Sequence, residues 1–203
     1  MEPILYLVHR IPFPPNKGDK VRSFNLLRFL ASRYRVHLGT FIDNAADLVH
    51  LPRLQEHCAS YKVVVQRHAL ARLRSLQGLW TGEPFTLCYY RDPSLAAWVR
   101  SIVREQGIRK VVVFSSAMAQ YTSALAGVRV VVDFVDVDSA KWAQYGKARP
   151  WPLSWLFERE GRRLLAFERA AASHADASVF VTQAEANLFR ALAPECAGRT
   201  HCA

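Results

Sequence analysis

Residues 4–20 read ILYLVHRIPFPPNKGDK, an apolar run followed by a proline-rich loop and the start of a helical pattern. The run at 4–8 is apolar at every position instead of at alternate ones, as expected of a strand whose two faces are both covered by helices. Three prolines keep the loop extended, and Gly18 can adopt backbone conformations that other residues avoid. This stretch predicts the first strand, loop and helix of a parallel sheet.

The same alternation continues to the end of the chain. Apolar, β-branched runs predict strands at 4–8, 36–41, 61–65, 110–114, 128–133 and 177–181. Helical patterns lie at 20–32, 46–59, 94–106, 117–125, 153–173 and 183–192. We therefore predict an α/β fold, a Rossmann-like and mostly parallel sheet with helices on both faces. His201 and Cys202 are assigned to an irregular tail.

The composition is that of a globular protein with a basic surface. The chain has 203 residues, and its 27 Lys and Arg against 17 Asp and Glu give a formal net charge of +10. We predict one domain over 1–203, because this length supports one well-formed core. Four widely spaced cysteines favour a reducing, cytoplasmic compartment. We expect neither a signal peptide nor a membrane-spanning helix, and hence a soluble or peripheral protein.

The first loop and helix are a candidate anion site. Lys17, Lys20 and Arg22 surround a predicted helix N-terminus, where free backbone amides favour a phosphate, and Asp19 is placed to cap this helix. The alternative is a capped helix with a solvated basic surface. The sequence contains no glycine-rich dinucleotide motif and no P-loop motif, so those functions lose their main support.

Three carboxylates lie at and just after the end of the predicted strand at 128–133, namely Asp133, Asp136 and Asp138. Carboxylates crowded at the end of a buried strand need solvent, a cation or a hydrogen-bonding substrate. Asp136 and Asp138 form a D-x-D pair that could bind a divalent ion. The alternative is a purely structural role, in which the strand ends here and Asp138 or Ser139 caps the next helix.

Ser115 and Ser116 follow the predicted strand at 110–114, where their hydroxyls could meet a ligand or cap the next helix. We favour the cap. No His or Asp lies beside either serine in sequence, and no G-x-S-x-G motif occurs, so hydrolase chemistry is not expected.

The predicted helix at 153–173 carries a carboxylate on its apolar face. Glu160 shares this face with Phe157 and Leu164, so it needs a partner, either an arginine such as Arg163 or a ligand. The same region has an aromatic and basic character that could rest on an anionic membrane. The residues of this segment are Trp151, Trp155, Arg159, Arg162, Arg163 and Arg169.

Three longer stretches resemble a known family. They are PFPPNKGDKVRSFNLLRFLA from Pro12, VVDFVDVDSAKWAQY from Val131 and FERAAASHADASVFVTQAEANLFRALAP from Phe167. With the order of elements, they resemble the N-terminal half of family 4 glycosyltransferases of the GT-B fold. The resemblance is strongest to the sugar transferases associated with exosortase (PEP-CTERM) exopolysaccharide loci.

The resemblance implies transfer of a sugar from a nucleotide-sugar donor to a glycan or lipid-linked acceptor, without a metal ion or a bound cofactor. The N-terminal domain of such enzymes mainly binds acceptor, while a second Rossmann-like domain holds the nucleotide. The residues implied to face the cleft are Asn16, Gly18, Asp19 and Lys20, then Ser115 and Ser116, and then Asp136, Asp138 and Lys141. No catalytic residue is assigned, and Asp136 and Asp138 are the candidates.

The sequence also departs from the family pattern. Many members place a histidine after the fourth strand, where this chain has Ser115-Ser116-Ala117-Met118. The second domain, with its E-x7-E nucleotide-sugar motif, is not in the sequence, so we expect a fragment of a longer enzyme that works at the inner face of the cytoplasmic membrane.

Two alternatives stay open. One is a metal-dependent transferase that binds Mn²⁺ or Mg²⁺ through Asp136 and Asp138. The other is a non-catalytic basic module that binds glycans or membranes. The seven histidines lack zinc-site spacing, and the basic residues are spread over several helices without a nucleic-acid motif, so we expect neither a zinc site nor a nucleic-acid partner.

Overall fold

A computed structural model describes all of residues 1–203. The strands are β1 (Pro3–Val8), β2 (Arg35–Ile42), β3 (Ser60–Val65), β4 (Lys110–Phe114), β5 (Arg129–Val135), β6 (Ala177–Phe180) and β7 (Thr200–Cys202). The α-helices are α1 (Gly18–Ala31), α2 (Leu51–Gln55), α3 (His68–Ser75), α4 (Gly78–Thr81), α5 (Phe85–Tyr89), α6 (Pro93–Glu105), α7 (Asp138–Lys147), α8 (Leu153–His174) and α9 (Gln183–Leu192). Short 3₁₀ helices span Ala45–His50, Ser116–Tyr121 and Pro194–Arg199.

The chain divides into two compact units. The first consists of Met1–His68 and Asp92–Val130, and the second of Ala69–Arg91 and Val131–Ala203. In both units the strand pairings are parallel and helices connect the strands, which confirms the predicted α/β class. None of the helices combines the length and the apolar character needed to cross a bilayer.

The first unit contains strands in the order β3-β2-β1-β4. Strand β1 is its centre, because Tyr6 is opposite Leu38 of β2 on one side and Val112 of β4 on the other. Leu27 of α1 is buried, and the Tyr6 hydroxyl donates to the Ser23 carbonyl oxygen at 3.1 Å. Helix α1 therefore packs directly above β1, and the loop between them is held at the carboxyl end of the strand.

The second unit contains the order β5-β6-β7 and the long helix α8. Phe134, Phe180 and Phe189 stack with ring centroids 4.9 to 5.5 Å apart and form its aromatic core. Helix α7 approaches α8 closely at Gly161, where an added Cβ atom would lie only 3.0 Å from the Ser139 carbonyl oxygen. A larger side chain at Gly161 would force the two helices apart.

Several predicted elements differ from the structure. His201 and Cys202, assigned to the tail, belong to β7 beside β6, and a strand of three residues is too short to be recognised from sequence. The helix predicted at 46–59 is a 3₁₀ turn followed by α2, because Pro52 starts a new helix. The helix predicted at 117–125 is the 3₁₀ turn Ser116–Tyr121. The three short helices between His68 and Tyr89 have no predicted counterpart.

Candidate functional site

A histidine lies where two paired strands of the first unit end. Val8 of β1 is opposite Phe114 of β4, and the next residue, His9, stacks its ring on Phe114 with centroids 5.9 Å apart and planes 6° apart. The His9 Nε2 atom lies 3.7 Å from Asp19 Oδ2 at the start of α1. The carboxyl ends of parallel strands are the usual place for ligands in α/β folds.

Charged neighbours surround His9. Arg10 reaches two carboxylates, with Nη1 3.3 Å from Asp19 Oδ2 and Nε 3.1 Å from Asp43 Oδ2. Burial, together with the charge of Arg10, lowers the pKa of His9 from 6.5 to about 4, although Asp19 and Asp43 act in the opposite direction. The imidazole is therefore neutral at physiological pH, and the same two effects make it a weaker base than an ordinary histidine.

Helix α1 begins differently from the prediction. It starts at Gly18 with Lys17 as the N-cap residue, and no side chain caps it, so the prediction that Asp19 is the cap is wrong. Asp19 lies inside the first turn, where its carboxylate binds Arg10 instead. Gly18 does not use the left-handed backbone region, and an added Cβ atom would meet nothing within 4 Å. Local backbone geometry therefore does not require glycine here.

The predicted cation cluster is only partly available to a ligand. Lys20 is buried, and its Nζ atom lies 2.6 Å from Asp47 Oδ2, so its charge is already balanced inside the protein. Lys17 and Asn16 are exposed beside Gly18, while Arg22 is half-buried on α1. Of the three predicted cations, Lys17 is the one that faces solvent at the helix start.

The two serines after β4 have different environments. Ser115 is half-buried and takes a positive φ of 81°, a strained conformation for a residue with a side chain. It is the N-cap residue of the Ser116–Tyr121 turn, but its hydroxyl does not cap, which corrects the expected role. Ser116 is completely buried, so its side chain cannot line an open cleft in this conformation.

In the second unit, β5 ends in a bulge. Its pairing with β6 shifts register between Asp133 and Val135, and Val135 has a φ of 71°, which is rare for a β-branched residue. The buried Asp133 carboxylate accepts a hydrogen bond from the Val135 amide at 3.1 Å. Asp133 therefore stabilises the bulge that turns the chain toward Asp136.

Asp136, Asp138 and Lys141 are brought together after this bulge. Lys141 Nζ lies 2.6 Å from Asp136 Oδ2 and 3.5 Å from Asp138 Oδ1. Burial acts to lower the pKa of Lys141, but the hydrogen bond to Asp136 and the charge of Asp138 outweigh it, and the pKa is raised. The D-x-D carboxylates thus face a lysine, and no group of three or more His, Cys, Asp or Glu residues is arranged to hold a metal ion.

The expected cap at Asp138 or Ser139 is wrong, because the N-cap residue of α7 is Val137, which has no capping side chain. The capping group comes from α8. Ser139 donates to the Glu168 carboxyl through its amide at 3.3 Å and its hydroxyl at 2.5 Å. Burial raises the pKa of Glu168 to about 8, against the lowering effect of the Ser139 hydroxyl.

Glu160 has an equivalent role at α5. Its carboxylate accepts hydrogen bonds from the amides of Phe85 and Thr86, at 2.7 and 2.9 Å, and from the Thr86 hydroxyl. The expected partner Arg163 does not pair with it. Arg159, predicted to be part of a basic membrane face, is buried and donates to the carbonyl oxygens of Gly78 and Glu83. Arg169 is paired with Glu195 at 2.6 Å.

The second unit also contains a cavity of about 450 Å³ between α7, α8 and α9. Its walls include Ala143, Leu165 and Leu188, and Lys147 and Arg162 lie among its lining residues. A cavity of this size is large enough for a small organic ligand. No residue predicted to bind substrate lines it.

Sequence reasoning missed His9, Arg10 and Asp43 as a group. The available signal was positional, because His9 directly follows β1 and Asp43 directly follows β2. Charged or titratable residues at the ends of adjacent parallel strands are brought to one edge of the sheet.

Comparisons with known proteins give matches of structure only. No protein-family model and no curated protein matches the chain in sequence. Sucrose-phosphate synthase from Thermosynechococcus elongatus matches in structure with a TM-score of 0.61 and 13% identity over 100% of this chain and 47% of that one.

Two plant structures match this chain over a similar fraction of their own length. UGT73P12 of Glycyrrhiza uralensis, complexed with glycyrrhetinic acid 3-O-monoglucuronide, gives a TM-score of 0.54 and 13% identity over 99% of this chain and 48% of that one. UGT2 of Phytolacca americana, complexed with UDP-2fluoro-glucose and pterostilbene, gives a TM-score of 0.54 and 12% identity over 96% of this chain and 50% of that one. The chain thus spans about half the length of these structures, and it has the Rossmann-like α/β fold found in GT-B glycosyltransferases.

Proposed function

We propose that this chain is the acceptor-side half of a GT-B glycosyltransferase that moves a sugar from a nucleotide-sugar donor to a glycan or lipid-linked acceptor in exopolysaccharide biosynthesis. The observation that carries the proposal is the fold shared with about half of a sucrose-phosphate synthase and of two UGT enzymes. The three stretches that resemble exosortase-associated sugar transferases support the finer assignment. A second, nucleotide-binding domain supplies the rest of the active site.

His9 is the residue best placed to act on an acceptor hydroxyl. Its imidazole is neutral and lies at the carboxyl ends of β1 and β4, and the Asp19 carboxylate 3.7 Å away offsets part of the effect of burial and Arg10 on the positive charge that it would gain. The hydroxyl proton passes to His9, the hydroxyl oxygen bonds to the sugar, and the bond between the sugar and the nucleoside diphosphate breaks. Exposed Lys17 and the amides at the start of α1 are the candidate contacts of the departing diphosphate.

We also propose that the enzyme works at the inner face of the cytoplasmic membrane, where a lipid-linked acceptor is held. Trp151 and Trp155 are exposed on the second unit, which supports this location. In this proposal Asp136 and Asp138 have a positioning role and are not catalytic, because Lys141 already neutralises part of their charge.

The test is sugar transfer by the longer protein that contains this chain, with a panel of nucleotide sugars and a glycan acceptor. His9→Gln is expected to lower kcat by about 10²-fold or more, with the thermal unfolding midpoint measured alongside. His201→Gln, an exposed histidine of the second unit, is the matched control and is expected to leave kcat unchanged. The acidic limb of the kcat/KM profile is expected near pH 4, at the lowered pKa of His9.

The alternatives give different results. Loss of activity in EDTA with rescue by Mn²⁺ would support a metal-dependent reaction at Asp136 and Asp138. Absence of transfer with every donor, while glycan or vesicle binding persists, would support a non-catalytic module. Full activity of His9→Gln would remove the histidine from the mechanism.

A further inference from the structure

An unusual helical segment of the second unit exposes its leucines. Helices α3 and α4 are joined by hydrogen-bonded turns through Leu76 and Leu79. The side that faces the protein carries the small residues Ala71 and Gly78, which are buried. The side that faces solvent carries Leu73, 65% exposed, and Trp80, 83% exposed. This is the reverse of the arrangement expected for a helix that only covers a core.

A second exposed apolar segment lies at the start of α8. Trp151 is 81% exposed, and Leu153 and Trp155 are about half exposed. Arg159 joins this segment to α4, because it lies one turn after Trp155 on α8 and donates to the Gly78 carbonyl oxygen. Trp80 is two residues from Gly78, so the two segments belong to adjoining parts of one unit.

We define the amphipathic surface as the exposed apolar residues of these two segments. Its residues are Leu70, Leu73, Leu76, Leu79, Trp80, Trp151, Leu153 and Trp155. A solvent-facing apolar patch of this kind marks an interaction site instead of ordinary surface.

The charges around this surface are mainly positive, and Glu158, exposed three residues after Trp155, is the opposing acid on α8. Neither residues 69–82 nor residues 139–157 contain Asp or Glu. They carry exposed cations at Arg72, Lys147 and Arg149. Glu83, the acid that follows the first segment, is engaged by Arg91, with Arg91 Nη2 2.6 Å from Glu83 Oε1. The surface therefore combines leucines and tryptophans with an excess of positive charge, which is clearest in residues 69–82, where Arg72 is exposed and no acid is present.

We propose that the amphipathic surface docks on an anionic lipid bilayer. Tryptophan has an apolar ring and an N–H donor, which suits the boundary between lipid headgroups and acyl chains. Leucine side chains enter the acyl layer, and flanking arginine and lysine residues attract anionic headgroups. This inference deepens the membrane location of the proposed function, and it makes α3 and α4 the main contact, a segment that sequence analysis did not identify.

Vesicle co-sedimentation of the 203-residue chain tests the proposal. Binding to phosphatidylcholine vesicles containing phosphatidylglycerol is expected to exceed binding to pure phosphatidylcholine vesicles. The double variant Leu73→Gln/Trp80→Gln is expected to lower the partition constant on the anionic vesicles roughly tenfold or more. Because both side chains are exposed, this variant keeps the core intact. Arg72→Gln is expected to lower the same constant about fivefold and to leave binding to pure phosphatidylcholine unchanged.

The matched control is Phe29→Gln/Val49→Gln, which removes two exposed apolar side chains from the first unit. Its partition constant is expected to equal that of the unchanged chain. Equal loss of binding in both double variants, or no preference for anionic vesicles, would overturn the proposal. It would also be overturned if Leu73→Gln/Trp80→Gln abolished self-association in sedimentation experiments while vesicle binding persisted, since the surface would then join two copies.

Sugar transfer to a soluble acceptor separates this inference from the proposed function. A protein that fails to bind vesicles but transfers sugar in solution would contradict only the membrane surface. A protein that binds vesicles but transfers no sugar would contradict only the enzyme assignment.

Discussion

The two units use buried carboxylates in different ways. In the first unit, the buried Asp47 carboxylate pairs with the buried Lys20, and the partly buried Asp19 and Asp43 contact Arg10. In the second unit, Glu160 and Glu168 accept hydrogen bonds from the backbone amides that begin α5 and α7. The ion pairs of the first unit position charged side chains near the carboxyl ends of β1 and β2. The hydrogen bonds of Glu160 and Glu168 in the second unit join helices to one another.

The difference between the two units follows from how their helices begin. Helices α5 and α7 start without a capping side chain of their own, since Pro84 and Val137 are their N-cap residues. Unsatisfied amides at a buried helix start are costly, and a carboxyl group from α8 removes that cost. The first unit has no such shortage at α6, where Asp92 caps the helix locally by accepting from the Leu95 amide.

The largest effect is expected from breaking the buried ion pair of the first unit. Lys20→Ala leaves the Asp47 carboxylate buried without its cation and is expected to lower the free energy of unfolding by about 3–5 kcal/mol. Chemical denaturation measures this change. Lys17→Ala, at the exposed N-cap, is the control and should change stability by less than about 0.5 kcal/mol.

The paired substitution Lys20→Met/Asp47→Leu sharpens the result, because it removes both charges and is expected to recover most of the lost stability. If Lys20→Ala were as stable as the unchanged chain, the pair would contribute nothing to folding. Lys20 would then be available to a ligand, as the sequence predicts.

The next effect concerns the tertiary cap of the second unit. Glu160→Ala leaves the partly buried amides of Phe85 and Thr86 without their acceptor and is expected to cost about 3 kcal/mol of unfolding free energy. Glu158→Ala, on an exposed position of the same helix, is the control and should cost much less. Equal losses in the two variants would show that helix propensity, and not the cap, determines the change.

The pH dependence of stability should have opposite signs in the two regions. The folded pKa of His9 lies below its unfolded value, about 4 against 6.5, so the unfolded chain binds more protons and stability falls as pH decreases through that window. The folded pKa of Glu168 lies above its unfolded value, about 8 against 4.5, so stability is full below pH 4.5 and is lost as pH rises toward 8.

The contribution of each group to the pH dependence of the unfolding free energy can be isolated by comparing a variant with the unchanged chain. The His9 contribution is expected to weaken stability by about 2 kcal/mol between pH 7 and pH 5, and the Glu168 contribution by about 2 kcal/mol between pH 6 and pH 8. His9→Gln should remove the acidic slope alone, and Glu168→Gln the alkaline slope alone. A variant that shifts stability equally at every pH would contradict the assigned titration.

Local sequence patterns, continuous apolar runs for strands and helical spacing for helices, were enough to predict most of the fold. The bounds predicted for β4 and α9 are the observed ones, and the other five predicted strands end within two residues of their observed ends. These elements carry enough apolar residues to be recognised from the local sequence. Helices α3 to α5 have four to eight residues each, and the packing of α4 and α5 against α8 determines where they lie.

The site was less predictable because its partners are distant in sequence. Asp136, Asp138 and Lys141 are close in the chain, and sequence reasoning grouped them after the fifth predicted strand, although Asp138 and Lys141 lie in α7. Lys20 and Asp47 are 27 residues apart, and Glu168 and Ser139 are 29 apart. A local pattern cannot reveal such pairs, so Lys20 was predicted to be an available cation and Ser139 a local cap.

The smallest expected effect on stability belongs to Gly18, and it tests what the first unit is built to bind. An added Cβ atom at this position meets nothing within 4 Å, and the backbone is not left-handed. Gly18→Ala is therefore expected to leave the free energy of unfolding unchanged or to raise it by about 0.5 kcal/mol, because alanine favours the helix start. Thermal and chemical denaturation measure this directly.

Under the proposed function, a donor diphosphate approaches the α1 amides, and the added methyl group of Gly18→Ala lies in its path. The KM for the nucleotide sugar should then rise in the proposed longer enzyme while folding is unaffected. The control is Gly198→Ala, which likewise meets nothing within 4 Å but lies far along the chain in the Pro194–Arg199 turn. An unchanged KM in Gly18→Ala would remove this helix start from the donor site, and a loss of stability would show that the loop before α1 is packed differently.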